Sequence, residues 1–377
     1  MTIRVLHVYK DYWPVVGGIE NLVRRLAIGL QADPEFAPRV LVTNPGWQTV
    51  REEIDGVPVV KAGRLATVAS TPLSLALVRE LARQPAEIVH LHAPYPLAEL
   101  AYLLTRHPGR LVLTYHSDIV RQRRLLPLYR PFLWQLLRRA EVITVSSPHY
   151  AAGSPILRAL GEKLRLVPFG VDPARFALTP ERAARVARLK AELSGPLVLF
   201  VGVLRYYKGL EVLIPVMGEV PATLVILGEG REGARLRALA AAQPHADRIV
   251  FRGRVEHDEL VAFYHAADVF VLPSTSRAEA FGVVLLEAMA CGLPVVTTEL
   301  GTGTSFVNLH QQTGLVVPPG DRAALAAALR SLLADPTTRQ RYGAAARRRV
   351  EQEFSEAQML AATKTLYREV LARPARC

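Results

Sequence analysis

Short aliphatic and β-branched runs alternate along the chain with segments whose apolar positions recur at helical spacing. The strand candidates of the first half are IRVLHVY, PRVLVTN, EIVHLHA, RLVLTYH, EVITVSS and KLRLVPF. The second half offers PLVLFVG, ATLVILG, RIVFRG, VFVLPS, LPVVTT and TGLVVPP. Between them, GGIENLVRRLAIGLQ, TPLSLALVRELARQ, DELVAFYHAA and LLEAMACG carry a helical pattern. Continuous apolar strands separated by helices predict parallel sheets covered on both faces, and two series of about six strands predict two doubly wound α/β domains. The first is expected over residues 1–178 and the second over 190–352. The boundary falls in a stretch punctuated by Asp172-Pro173, Thr179-Pro180 and Gly195-Pro196. A closing helix over 355–373 is expected to pack back on the first domain. Two Rossmann-like lobes would face a cleft, and ligands bind outside the carboxyl ends of such strands.

Composition narrows the class. The chain has 377 residues, half of them hydrophobic, so a large core can form and disorder is not expected. Its two cysteines, Cys291 and Cys377, share no close spacing, which excludes a disulfide scaffold and a paired-cysteine zinc site. The N-terminal apolar run meets Lys10 and Asp11 early and reads as a strand rather than a signal peptide. No uncharged run reaches the ~18–20 residues that span a bilayer. A cytoplasmic protein is expected, at most peripheral on the inner face of a membrane. Lys and Arg number 46 against 34 acidic residues, a net charge of +12. Residues 1–180 hold 22 basic and 14 acidic residues, leaving 24 and 20 for the rest. The excess therefore sits in the first half. It fits plain solubility, or an anionic partner such as lipid or a phosphorylated substrate.

Four places carry candidate chemistry. Gly17-Gly18 follows the first strand and opens a helix, where backbone can approach an anion. The spacing is not that of a dinucleotide loop, and a plain tight turn fits as well. His116 and Asp118 lie at the carboxyl end of RLVLTYH, where this architecture places chemistry, although a hydrogen-bonded structural histidine is the ordinary alternative. In FVGVLRYYKGLEVLI, Arg205 and Lys208 follow a strand and precede a helix, an arrangement suited to phosphate. In SRAEAFGVVLLEAMACGLPVV, Glu279 and Glu287 bracket the start of a helix. Glu287 stands in an otherwise apolar run and needs a partner there. A carboxylate can accept two hydroxyls, as a ribose diol or sugar would offer.

The string E-A-F-G-V-V-L-L-E-A-M-A-C-G-L-P-V-V resembles the E-x7-E motif of retaining glycosyltransferases of the GT-B fold, the group 1 or GT4 family. The glycine loop, the strand-end histidine, the G…KG loop, RIVFRGRVEHDELVAFYHAADVFVLPS and TGLVVPPGD extend the resemblance over nearly the whole chain. It implies that Glu279 and the backbone of Ala280, Phe281 and Gly282 hold the donor sugar and diphosphate. Glu287 would take the ribose, Lys208 the diphosphate, and Arg254-Val255 would lie against the base. His116 would stand by the anomeric carbon, with Gly17-Gly18 closing over phosphates and acceptor. The family places an arginine directly after the glycine of the G…KG loop; here Val203 stands there, and Arg205 is the candidate replacement.

The expected activity is transfer of a hexose-type sugar, with retention, from a nucleoside diphosphate sugar to a lipid-linked or polysaccharide acceptor. No cofactor and no essential metal are expected. LGTGTSFVNLHQQTG further resembles members acting on mannose- or rhamnose-like residues of surface polysaccharides. A sugar-nucleotide epimerase of the same fold is the rival enzyme. A basic nucleic-acid-binding protein is the rival binding module, but no nucleic-acid motif is visible. The acid-free stretch Arg121–Arg139 interleaves arginines with Leu, Tyr, Phe and Trp134, as an interfacial segment on anionic lipid would. An ordinary helix with arginines outside fits it too.

Overall fold

The computed structural model describes residues 2–15, 17–68, 71–119, 126–193 and 195–374. The chain divides into two compact units. The first comprises Met1–Ser146, Ser154–Pro168 and Met359–Cys377, and the second Ser147–Gly153 and Phe169–Gln358. The main change of unit thus falls at Pro168, earlier than residue 178.

The first unit is built on an eight-stranded sheet. From one edge its strands are Leu164–Leu166, Val142–Val145, Arg110–Tyr115, Ile88–Ala93, Ile3–Val8, Phe36–Asn44, Val57–Gly63 and Val50–Ile54. All neighbours are parallel except the last pair. That pair is a hairpin turned at Asp55 and Gly56, whose φ angles of 53° and 76° suit the tight turn between twisted strands. The closing helix, Glu356–Ala372, places Leu366, Tyr367 and Val370 in one core cluster with Val5, Leu30, Ile88 and Val112. Its start is separated from the preceding helix, Pro336–Glu353, by a reciprocal cap. Ser355 Oγ accepts from the Gln358 N–H, and Gln358 Oε1 accepts from the Ser355 N–H.

The second unit carries a six-stranded, all-parallel sheet in the order Ile249–Gly253, Thr223–Leu227, Leu197–Val201, Val269–Leu272, Val295–Thr298, Gly314–Val317. Its central strands are buried throughout, apart from Thr223 at the start of one, which explains their apolar sequences. The chain works outward from Leu197–Val201 and then returns to lay Val269–Leu272 on that strand's other side. Connections leaving the two central strands diverge at this reversal and open a crevice at their carboxyl ends. No helix among the described residues is long and apolar enough to cross a membrane.

Candidate functional site

The reversal in the second unit gathers most of the candidate residues. The loop after Leu197–Val201 carries Arg205 and a one-turn 3-10 helix, Tyr206–Lys208. Gly209 follows at φ +77°, and a Cβ there would lie 1.9 Å from the Pro273 carbonyl oxygen. The two loops therefore meet backbone to backbone, and only glycine fits. Lys208 Nζ stands 2.6 Å from Glu279 Oε2, and Ser274 Oγ donates to the same oxygen at 3.1 Å. Lys208 and Glu279 are 8% and 7% exposed, so neither charge would be stable there alone. Burial pulls the Lys208 ammonium down, but the Glu279 carboxylate outweighs it and the balance is upward. Arg205 is exposed, forms no ion pair among the described residues, and is near enough for its charge to act on Lys208. Val203 is also exposed.

The rest of the EAFG segment is held from behind. Arg277 donates to the carbonyls of Leu300 and Gly301, at 3.2 and 2.7 Å, and lies over the Tyr150 ring. The Phe281 side chain turns into the core against Phe169 and Phe354, which leaves only backbone from that residue for a ligand. Gly282, at φ +81°, caps the helix Val283–Ala290. From this helix Glu287 receives the Tyr264 hydroxyl at 2.9 Å. Burial, and then the Glu287 charge, hold that hydroxyl protonated well above its usual range, so it remains a donor. Arg254 and Val255 begin the loop after Ile249–Gly253; Arg254 is exposed and Val255 half-buried.

The remaining candidates belong to the first unit. Gly17 is the extended N-cap of the helix Gly18–Gln31. A Cβ on Gly17 would come within 2.2 Å of the Glu20 carboxylate, whereas one on Gly18 meets nothing within 4 Å. Asp118 accepts from Tyr115 and Ser154 hydroxyls, each at 2.9 Å. His116 continues the ladder beyond Arg110–Tyr115, its N–H donating to the Ala93 carbonyl at 2.9 Å.

His116 ends a buried column of histidines. His7 pairs with His90 across adjacent strands, and His92 lies two residues further along the second strand. Alternation puts all of these side chains on one face, together with Thr114 and Thr144. His116 Nε2 lies 3.0 Å from His92 Nδ1, and His92 Nε2 lies 3.2 Å from His7 Nδ1. His90 bonds the Tyr367 hydroxyl and Thr114, both at 2.6 Å. Ligand atoms of His7, His90 and His92 lie within 4.8 Å of one another, the spacing of a metal site. Both nitrogens of His90 and of His92 are already engaged, however, and among the described residues no carboxylate joins the group to balance a cation. The donor set is committed to hydrogen bonds.

Comparison with known proteins fits this geometry. Residues 182–349 match the family model described as glycosyl transferases group 1, and residues 16–175 match glycosyltransferase family 4. The chain is 35% identical to the O-antigen chain mannosyltransferase C of Escherichia coli, over 98% of this chain and 99% of that protein. It belongs to the group 1 glycosyltransferases. It is also 38% identical to a D-rhamnosyltransferase of Pseudomonas aeruginosa, over 93% and 92% of the two chains. Among solved structures, sucrose-phosphate synthase from Thermosynechococcus elongatus superimposes with a TM-score of 0.83 at 25% identity, covering 98% of this chain and 99% of that one. The fold is GT-B.

Sequence reading of this glycosyltransferase missed three supports: Ser274 on Glu279, Tyr264 on Glu287, and the histidine column behind His116. Only the last had a visible mark, the alternation of histidines in IVHLHA within a wholly apolar strand.

Proposed function

We propose that this glycosyltransferase moves a mannose- or rhamnose-type sugar, with retention, from a nucleoside diphosphate donor to a surface polysaccharide or its lipid-linked precursor. Similarity to enzymes named for O-antigen mannosyl and D-rhamnosyl transfer supports the sugar class and the acceptor. Retention is what the family resemblance implies. The observation that carries the chemistry is the buried Lys208–Glu279 pair at the strand-order reversal. Charge accumulates on the departing diphosphate, and the buried Lys208 with the exposed Arg205 answers it. Glu279 Oε1 takes no hydrogen bond among the described residues and is open to a sugar hydroxyl. Glu287, steadied by Tyr264, accepts the ribose diol. His116, kept neutral by burial, serves by hydrogen bonding rather than by charge.

Glu287→Ala should therefore lose nucleotide affinity. GDP or UDP, whichever stabilises the wild type in a thermal-shift panel, should raise the melting point of the wild type and leave the variant nearly unmoved. Equal shifts would remove the ribose assignment.

We further propose that the first unit docks on an anionic lipid surface. Along the helix Leu126–Arg139, Leu133, Leu136 and Leu137 face the core. Leu128 and Phe132 are exposed at 76% and 47%, beside exposed Arg130, Arg138 and Arg139. Arg121, Arg123 and Arg124 lie outside the described residues. Apolar insertion combined with several arginines, each contributing about 1 kcal/mol at most near such a surface, suits reversible binding. The chain should sediment with vesicles containing anionic lipid at low salt and be released at high salt. A variant with Arg130, Arg138 and Arg139 changed to Gln should bind less. Equal sedimentation of the two would leave this helix an ordinary solvated surface.

A further inference from the structure

The chain has three tryptophans, and two of them are exposed at one end of the first sheet. Trp13 lies in the loop after Ile3–Val8 and is 37% exposed, and Trp47 lies in the loop after Phe36–Asn44 and is 79% exposed. Both loops are anchored on the strand Val57–Gly63. Lys61 Nζ donates to the Trp13 carbonyl at 2.7 Å. A Cβ on Gly63 would lie 1.9 Å from the Trp47 carbonyl oxygen, so that loop rests directly on Gly63. Positions two apart on a strand share a face, here the one that packs Val57 and Val59 against Val23 and Ala27. The two loops therefore meet the strand on the same face.

Trp13 is braced from one side. Arg24 stacks on its ring at 4.4 Å and is itself fixed by two hydrogen bonds to Asp55, at 2.6 and 3.0 Å. The charges around the two loops cancel. Arg24 pairs with Asp55, Lys61 with Glu52 and Arg64 with Asp11, each at 2.6 Å, while Lys10 lies over the Tyr9 ring. Exposed indoles among matched charges suit a neutral ligand better than a phosphate or an anionic lipid. A saccharide has that chemistry: a pyranose presents a face of C–H groups to the negative face of an indole, and hydroxyls at its rim. Gln48, exposed beside Trp47, offers an amide to such hydroxyls.

Position says which saccharide. Both loops leave the carboxyl ends of strands in the sheet whose strand Arg110–Tyr115 leads to His116. Ile3–Val8 and Phe36–Asn44 are two and three strands away from it, about 10 and 14 Å at ~4.8 Å per strand. A glycan with its reacting end by His116 would pass these tryptophans at residues added earlier.

We propose that Trp13 and Trp47 form a binding site for the growing acceptor glycan, each stacking on a sugar ring upstream of the one that receives the new residue. The inference rests on the reading that the acceptor is a polysaccharide or its precursor. It makes the length of the acceptor, and not only its terminal sugar, a determinant of affinity.

Labelling with 5-fluorotryptophan gives three 19F resonances, assigned from Trp13→Phe, Trp47→Phe and Trp134→Phe. An unlipidated hexasaccharide of the mannose- or rhamnose-type chain that the enzyme extends should shift the Trp13 and Trp47 signals. Trp134, on the helix Leu126–Arg139, should not respond. In kinetics, Trp47→Ala should raise the KM for the hexasaccharide about tenfold, with kcat and donor KM little changed. Trp47→Phe should keep most of the affinity, and a disaccharide acceptor, too short to reach Trp47, should serve wild type and Trp47→Ala equally. Turnover of the hexasaccharide with unmoved Trp13 and Trp47 signals, or an equal loss on short and long acceptors, overturns this site and leaves the transferase reading intact. A Trp47 signal shifted by phosphatidylcholine vesicles and not by the hexasaccharide overturns it in favour of lipid. A wild-type enzyme that transfers sugar to no glycan removes the acceptor reading itself, and this site with it.

Discussion

Lys208→Met should turn over about 100- to 1000-fold more slowly than the wild type while binding the donor with similar affinity. Preorganised charge aimed at a leaving group is commonly worth that factor, and it acts mainly after the bond begins to break. The substitution also strands Glu279, which is 7% exposed and loses its cationic partner at 2.6 Å. Breaking a buried pair from one side costs about 3–5 kcal/mol. The melting point should therefore fall as well. The double variant Lys208→Met/Glu279→Gln separates the two effects, because it removes the stranded charge without restoring the cation. It should regain much of the stability and none of the rate. A Lys208→Met enzyme with near-normal kcat would show that the diphosphate is neutralised elsewhere.

The second large effect is acid instability of the first unit. Burial lowers the His7 and His116 imidazoles to about 3, and holds His90 and His92 well below their ordinary range. These groups stay neutral in the folded chain but take up protons near pH 6.5 once unfolded. The stability they lend is complete above that pH and is lost as the pH falls towards their folded values. At pH 5 His7 and His116 each cost about 2 kcal/mol, and His90 and His92 act in the same direction. Glu99 acts in the opposite sense. Burial raises its carboxyl to about 7, so it binds a proton first in the folded state and returns about 2.5 kcal/mol by pH 5. The histidine loss exceeds the Glu99 return, so acid is destabilising on balance, in a chain whose whole stability is only about 5–15 kcal/mol. The melting temperature should be flat above pH 7.5 and drop steeply below pH 6. A melting temperature unchanged between pH 7.5 and pH 5 would contradict the neutral, buried column.

The central parallel strands were legible because they are buried on both faces along most of their length and so read as unbroken apolar runs. VREEI and VPVVKAG were not, since they form an edge hairpin with one face in water and Glu52, Glu53 and Lys61 among them. Their mark was Asp55-Gly56, the one dipeptide there suited to two left-handed residues in succession. The site was legible residue by residue but not as pairs. Lys208 and Glu279 are 71 residues apart, and nothing local joins them. Strand order does, by placing Leu197–Val201 beside Val269–Leu272. The histidine column is a stronger case. Its members sit on three strands, and only the register of His7 with His90 and of His92 with Thr114 lines them up. Phe281 shows the converse, a residue inside a functional motif whose side chain serves the core.

The most direct test of the central claim is to incubate the purified enzyme with GDP- and UDP-linked mannose- and rhamnose-type sugars, with and without a lipid-linked glycan acceptor, and to read the product's anomeric configuration by NMR. One donor should be consumed only when acceptor is present, with release of its nucleoside diphosphate and a new glycosidic bond of the donor's configuration. Conversion of the sugar nucleotide without acceptor, or a product of inverted configuration, would contradict that claim.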